Sequence, residues 1–270
     1  MQKTILFSLA SAFLIALGGC SGKTGEKDGP SKSPEETAKT PEDAGDSGKS
    51  AKTDQGARET AEKPGVEIRT VNRLKRGNNL KQIAIALISY EMQFGRFPAA
   101  ASPLAPGQPA VSWRVRLLPH LECSDLFQEY RRDEPWDSPN NIKLLEKMPD
   151  EFRGGRTEND GKTSLMAFVG EGTALQGAES LDMVDVGDGV CDTIVVVEAG
   201  PDKAVPWTKP DDLPFDPADP LAALGEIAED DFPAAFCDGS VRWIEKNIDP
   251  EMLRRLIDAN DGLPVDPPEF

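Results

Sequence analysis

The chain has 270 residues, 38% of them apolar, a formal charge of −17 and a single histidine. Its apolar residues suffice for one sizeable core but are spread too unevenly for several domains. Such an acid excess, with no basic patch interleaved with aromatics, excludes nucleic-acid binding and polybasic contact with anionic lipid.

Residues 1–20, MQKTILFSLASAFLIALGGC, set Lys3 ahead of an apolar run over 5–17 and end on small residues, the layout of a secretory signal and not of a spanning helix. Leu17-Gly18-Gly19-Cys20 resembles the bacterial lipobox, in which cleavage before the cysteine exposes a thiol for lipid attachment. Residues 1–19 are therefore expected to be removed, leaving lipidated Cys20 as the anchor and a membrane as the first partner. Each buried acyl CH₂ contributes about 0.8 kcal/mol, so several chains hold durably. Ser21, and not Asp, follows the cysteine, which favours an outer membrane over an inner one.

Residues 20–65 are expected to form a disordered tether. From 21 to 65 there is no aromatic, Val, Ile or Leu, so no apolar burial can offset the entropy of ordering. As a flexible coil these 45 residues hold the folded domain about 35–40 Å from the anchor. Ten acids and eight bases nearly cancel here; outside leader and tether, 37 acids stand against 21 bases.

That domain, expected over 66–270, is organised around residues 78–98, NNLKQIAIALISYEMQFGRFP. Leu80, Ile83, Leu87, Tyr90 and Phe94 recur at intervals of three and four, which predicts one helix face, widened by Ile85, Ile88 and Met92. Asn78 or Asn79 can cap the helix, and Gly95 and Pro98 end it. Ile68, Val71 and Leu74 continue the spacing upstream, with Gly77 as a weak point. Residues 99–110 read as a loop. Residues 112–119 read as a short helix stopped by Pro119, and 124–130 as one capped by Ser124. A further helix has Ser138 as its cap, Pro139 at its first position and Leu144, Leu145 and Met148 inward, with Pro149 closing it.

The second half changes period. Residues 163–169, 193–198, 234–237 and 240–244 are short apolar runs bounded by Gly, Asp or Pro, as strands are. Asp238-Gly239 between the last two predicts a type I′ hairpin. Residues 201–220 read as an ordered surface loop, and a final helix starts at Asp249-Pro250 with Met252, Leu253, Leu256 and Ile257 inward and Gly262 beyond its end. Helices first and antiparallel strands after make the class α+β, a long N-terminal helix packed on an antiparallel sheet with extra short helices.

Several of these runs, in this order, resemble a known family. Asn78-Asn79-Leu80-Lys81-Gln82-Ile83, Gly95-Arg96-Phe97-Pro98, Ser112-Trp113-Arg114-Val115 with Leu117-Leu118-Pro119, and Phe236-Cys237-Asp238-Gly239-Ser240-Val241 are similar to DUF1559, a family abundant in planctomycetes. The run over 134–141 and Val205-Pro206-Trp207-Thr208-Lys209-Pro210 look like one subgroup of it. The resemblance covers about 71–257 and implies a pilin-like layout; the family's molecular function is not established. Many relatives begin with a pilin-type methylation signal and hydrophobic helix, where this chain has its lipobox and tether. His120 stands where many relatives have Tyr, and Cys237 where Ala is usual.

Few residues offer chemistry. His120 is alone and follows Pro119 at a helix end, a structural position more than that of a general base. Cys123, Cys191 and Cys237 lack zinc-site spacing, and the sequence leaves open whether two of them pair. Asp182, Asp185, Asp188 and Asp192 do not follow the EF-hand series and read as a solvated turn. Trp113, Trp136, Trp207 and Trp243 read as core or loop anchors, with Trp207 in the proline loop the one speculative binding residue. The expectation is a non-catalytic, lipid-anchored envelope protein with a structural or interaction role, without cofactor or metal, whose partner is another envelope protein. The alternative is an extracytoplasmic solute- or glycan-binding module.

Overall fold

The computed structural model describes residues 64–263. The expected leader, Cys20 and tether lie outside them. Helix α1 runs unbroken over Pro64–Phe94, through Gly77, which takes an ordinary helical place beside the Trp243 ring. Gly95, at φ +72°, ends it, and its N–H donates to Glu91 O. The inward face is narrower than the spacing suggests. Leu80, Ile83, Ala84, Ala86 and Leu87 are buried, whereas Met92 is 78% and Phe94 54% exposed, and Ile85, Val71 and Leu74 are exposed too. Ile85 and Met92 lie on the opposite side of the helix, whereas Phe94 keeps to the inward side but stands in the last turn, where its ring meets Tyr90 and His120 and stays half exposed.

Strands β1 (Ala101–Pro103) and β2 (Ala110–Ser112) pair as an antiparallel hairpin inside the expected loop. Helix α2 (Trp113–Arg116) comes next, with Ser112 Oγ accepting from Arg114 N. Pro119 does not stop that helix but opens a 3₁₀ turn, Leu118–Leu121, because proline needs no N–H partner in a first turn. Helix α3 (Ser124–Glu129) is preceded by Cys123, which replaces Ser124 at the cap position. The segment from Ser138 forms a 3₁₀ helix, Asn141–Lys147, with Ser138 Oγ accepting from Asn141 N and with Leu144 and Met148 buried.

The predicted strand over 163–169 divides into β3 (Lys162–Thr163), β4 (Leu165–Met166) and β5 (Phe168–Val169), which pair in three different sheets. Next come β6 (Ile194–Glu198), β7 (Val205–Pro206), β8 (Leu213–Pro214), β9 (Asp231–Phe236), β10 (Val241–Glu245) and helix α4 (Pro250–Ile257). The main sheet is antiparallel, in the order β10-β9-β6-β4. Strand β6 is buried along its whole length, which explains its unbroken Ile-Val-Val-Val run. Alternation assigns the faces: Ala235 and Cys237 join α1 in one core, while Phe232, Ala234 and Phe236 join Leu253, Leu256 and Ile257 of α4 in the other. The fold is α+β, with the sheet between the long helix and α4.

The β9–β10 turn differs from the expectation. Gly239 has φ +82°, but Asp238 is not in the left-handed region, so a type I′ turn is ruled out. Gly239 N donates to Phe236 O and Phe236 N to Ser240 O, the bonding of a three-residue loop that closes on a left-handed glycine.

Candidate functional site

Trp207, expected on a surface loop, is fully buried. Its ring stacks on Phe152 at a centroid distance of 5.9 Å, and its Nε1 donates to Leu144 O at 3.2 Å. The loop is drawn inward because β7 pairs with β3 and β8 with β5, so the indole completes the core and offers no platform to a ligand. Cys20 lies outside the described residues. His120 is half-buried, with Nδ1 3.0 Å from Ser89 Oγ and its ring against Tyr90 and Phe94; desolvation lowers its pKa. No disulfide joins Cys123, Cys191 or Cys237, and burial pushes the Cys237 thiol up, away from the reactive thiolate.

The acids of 182–192 have separate tasks. Asp182 accepts from Asp185 N, Asp188 accepts from Asp261 N and Gly262 N, and Asp192 pairs with Arg242 at 3.6 Å. Among the described residues no group of three or more His, Cys, Asp or Glu is placed to hold a metal, and no helix is long and apolar enough to cross a membrane.

The strongest charged constellation is one the sequence did not disclose. Arg114, fully buried, donates from Nε and Nη2 to Leu165 O at 3.0 and 2.9 Å and from Nη2 to Asp212 Oδ1 at 2.7 Å. The same Asp212 oxygen accepts from Trp113 Nε1 at 3.1 Å and Ala167 N at 2.9 Å. Burial pushes the Asp212 carboxyl up, and the Arg114 guanidinium, with the N–H donors of Ala167 and Trp113, opposes that rise. The sequence reads Ser112-Trp113-Arg114 only as a short helix and a family motif, and nothing local in Asp211-Asp212 distinguishes one acid from its neighbour.

Asp212 also lines an acidic groove of about 660 Å³ with Asp202, Asp211, Asp216 and Asp219. Three of these carboxylates are taken up by backbone N–H groups: Asp216 and Asp219 accept from Ala218 and Ala222 in local turns, and Asp202 accepts from Glu226, 24 positions away. A second cleft, of about 280 Å³, lies over the largely buried pair Arg76–Glu198. There Glu198 accepts from Arg76 Nε at 2.9 Å and Gly155 N at 2.6 Å, while Arg76 also pairs with Glu229. A Cβ on Gly155 would lie 3.0 Å from Arg76 Cδ, so only glycine lets the backbone approach this pair without a shift. Arg73 Cζ sits 3.8 Å over the Trp243 ring and pairs with Asp231, fixing α1 to the β9–β10 hairpin.

A family model described as a protein of unknown function (DUF1559) matches residues 73–169. Residues 73–169 are a DUF1559 region. No curated protein and no solved structure matches the chain. The DUF1559 region runs from Arg73 in α1 to Val169 at the end of β5. It therefore contains Arg76, Trp113 and Arg114 but not Glu198, Trp207 or Asp212. In this chain the buried charges of the DUF1559 region are neutralised by the segment C-terminal to it.

Proposed function

We propose that this is a non-catalytic, lipid-anchored protein of the cell envelope, a pilin-like domain held at a membrane by Cys20 and acting through contact with another envelope protein. The observation that carries this reading is the leader, with its apolar run over 5–17 ending in Leu17-Gly18-Gly19-Cys20 and followed by a polar stretch to 65. Supporting it, the two largely buried ion pairs hold the helices and strands together, with Arg114 and Glu198 bonding to backbone as well as to their partners. The outward side of α1 carries Val71, Leu74, Ile85 and Met92, apolar surface of the kind that envelope contacts cover. The outer membrane is the proposed site, because Ser21 follows Cys20. Fractionation of cells carrying Cys20→Ser tests the anchor, and site-directed crosslinking from Leu74 and Met92 in intact envelopes tests the contact. Crosslinks from these positions to one discrete partner are expected; their absence contradicts the interaction role.

A further inference from the structure

Along the solvent side of α1 one row of residues recurs at an interval of seven: Val71, Asn78, Ile85 and Met92, all of them exposed. The core takes Leu80, Ile83, Ala84 and Leu87 from the other side and leaves this row unused. A second row at the same interval, Leu74, Lys81 and Ile88, runs beside it. Leu74 is 63% exposed, while Lys81 Nζ donates to Gly239 O at 2.7 Å and Ile88 is half-buried, so the second row is tied at its far end to the β9–β10 turn. Two rows interleaved by three and four are the seam by which a pair of helices winds together. A straight helix drifts by about 20° per heptad against such a repeat, and a left-handed supercoil returns the drifting row to the contact.

The composition of the row fits a second copy of this chain. Across a two-fold axis in a parallel pair each residue meets its own copy, and Val71, Asn78, Ile85 and Met92 set no charge against its like, although the whole chain carries −17. Asn78 selects the direction. In a parallel, in-register pair the two Asn78 amides face each other and each can donate to the other. In an antiparallel pair with Val71 opposite Met92, Asn78 lies opposite Ile85, and its amide is covered without a partner. The chain ahead of the helix gives the same direction: residues 21–63 lead from Cys20 to Pro64, so two copies held on one membrane enter α1 from the same end. The seam is short, and confinement of both copies to one surface raises their effective concentration.

We propose that α1 pairs with α1 of a second copy as a parallel, in-register two-stranded coil, through Val71, Leu74, Asn78, Ile85 and Met92. The envelope protein contacted at this face is then the chain itself, an inference that rests on the anchoring reading for its direction.

The test is disulfide trapping in cell envelopes. Val71→Cys, Ile85→Cys and Met92→Cys are introduced singly into the full chain, the cells are fractionated, and membrane and soluble fractions are each oxidised with copper phenanthroline and run without reductant. Val71 and Met92 are 21 residues apart along the helix, about 31 Å, so the two ends of the seam are read separately. Each single variant is expected to give a band of twice the chain mass, about tenfold or more above wild type and above Val184→Cys, a position 90% exposed but off the helix. Adding Ile85→Glu to Met92→Cys should lower that band about tenfold, because two carboxylates then meet in the seam, while the melting temperature holds because position 85 is exposed. Trapping only between mixed Val71→Cys and Met92→Cys chains, bands to a different protein, or wild-type background in every variant overturns the proposal. A membrane-bound chain without the band sinks the pair and leaves the anchor standing. A soluble chain sinks the anchor, and the band in the soluble fraction still decides the pair.

Discussion

The guanidinium of Arg114 and the carboxylate of Asp212 lie 2.7 Å apart, 0% and 2% exposed, and join the helix after the β1–β2 hairpin to the loop entering β8. Removing one member leaves the other buried and unpaired. Arg114→Ala and Asp212→Ala are each expected to cost about 3–5 kcal/mol. The pair Arg114→Met with Asp212→Leu should cost less than the sum of the single changes, because no lone charge is stranded. Urea unfolding of the three variants checks this; additive losses would mean that the two groups are not coupled.

The main helix gives a second contrast. Leu87 is 1% exposed at the centre of the inward face, so Leu87→Asp buries a carboxylate with no partner. Loss of the leucine alone costs ~2–5 kcal/mol against a total stability of ~5–15 kcal/mol, and the charge adds to it. His120→Ala removes the bond to Ser89 and the contacts with Tyr90 and Phe94, a change of about 1 kcal/mol. Thermal melts of the two variants should separate clearly. A wild-type melt for Leu87→Asp contradicts the packing of α1 through that face.

Much of the architecture was legible because it rests on local chemistry. Asp249 caps α4, accepting from Glu251 N and Met252 N, and Gly95 ends α1, both as their residue types require. Where packing decides, the pattern misled: Met92 lies on the solvent side of the helix, and Phe94 keeps the helical spacing but stands in the last turn, half exposed against Tyr90 and His120. The site was less legible still. Arg114 and Asp212 are 98 positions apart, and no spacing rule links them. Trp207 looked exposed because prolines surround it, but β3–β7 pairing turns its ring toward Phe152.

Two glycines separate backbone strain from crowding. Gly161 has φ +69°, and a Cβ there would lie 2.7 Å from Leu145 O; Gly107 has φ +81° with nothing within 4 Å. Gly107→Ala should cost only the left-handed strain, ~1–2 kcal/mol. Gly161→Ala adds a clash with backbone, a further ~1–3 kcal/mol. It should also loosen Trp207, whose N–H donates to Gly161 O, and tryptophan fluorescence reports that. Equal melting temperatures for the two variants contradict the crowding.

Tyr130 makes stability depend on alkaline pH. Its phenol ionises near the ordinary 10 when unfolded and at about 12 when folded. The unfolded chain therefore loses its proton first, and stability contributed by this group is complete below pH 10 and falls as pH rises toward 12. Tyr130→Phe should flatten that fall and delete the phenolate absorbance step near pH 12. An unchanged step in the variant would assign it elsewhere.

The lipid anchor proposed at Cys20 would set where this protein acts, and metabolic labelling with a radioactive fatty acid, with membrane fractionation after it, tests that anchor directly. The wild-type chain is expected to take up label, to lose residues 1–19 and to sediment with outer-membrane fractions, while Cys20→Ser remains unlabelled and leaves the membrane. Retention of Cys20→Ser in the membrane at full precursor mass would contradict a covalent lipid anchor and with it the proposed place of this protein in the envelope.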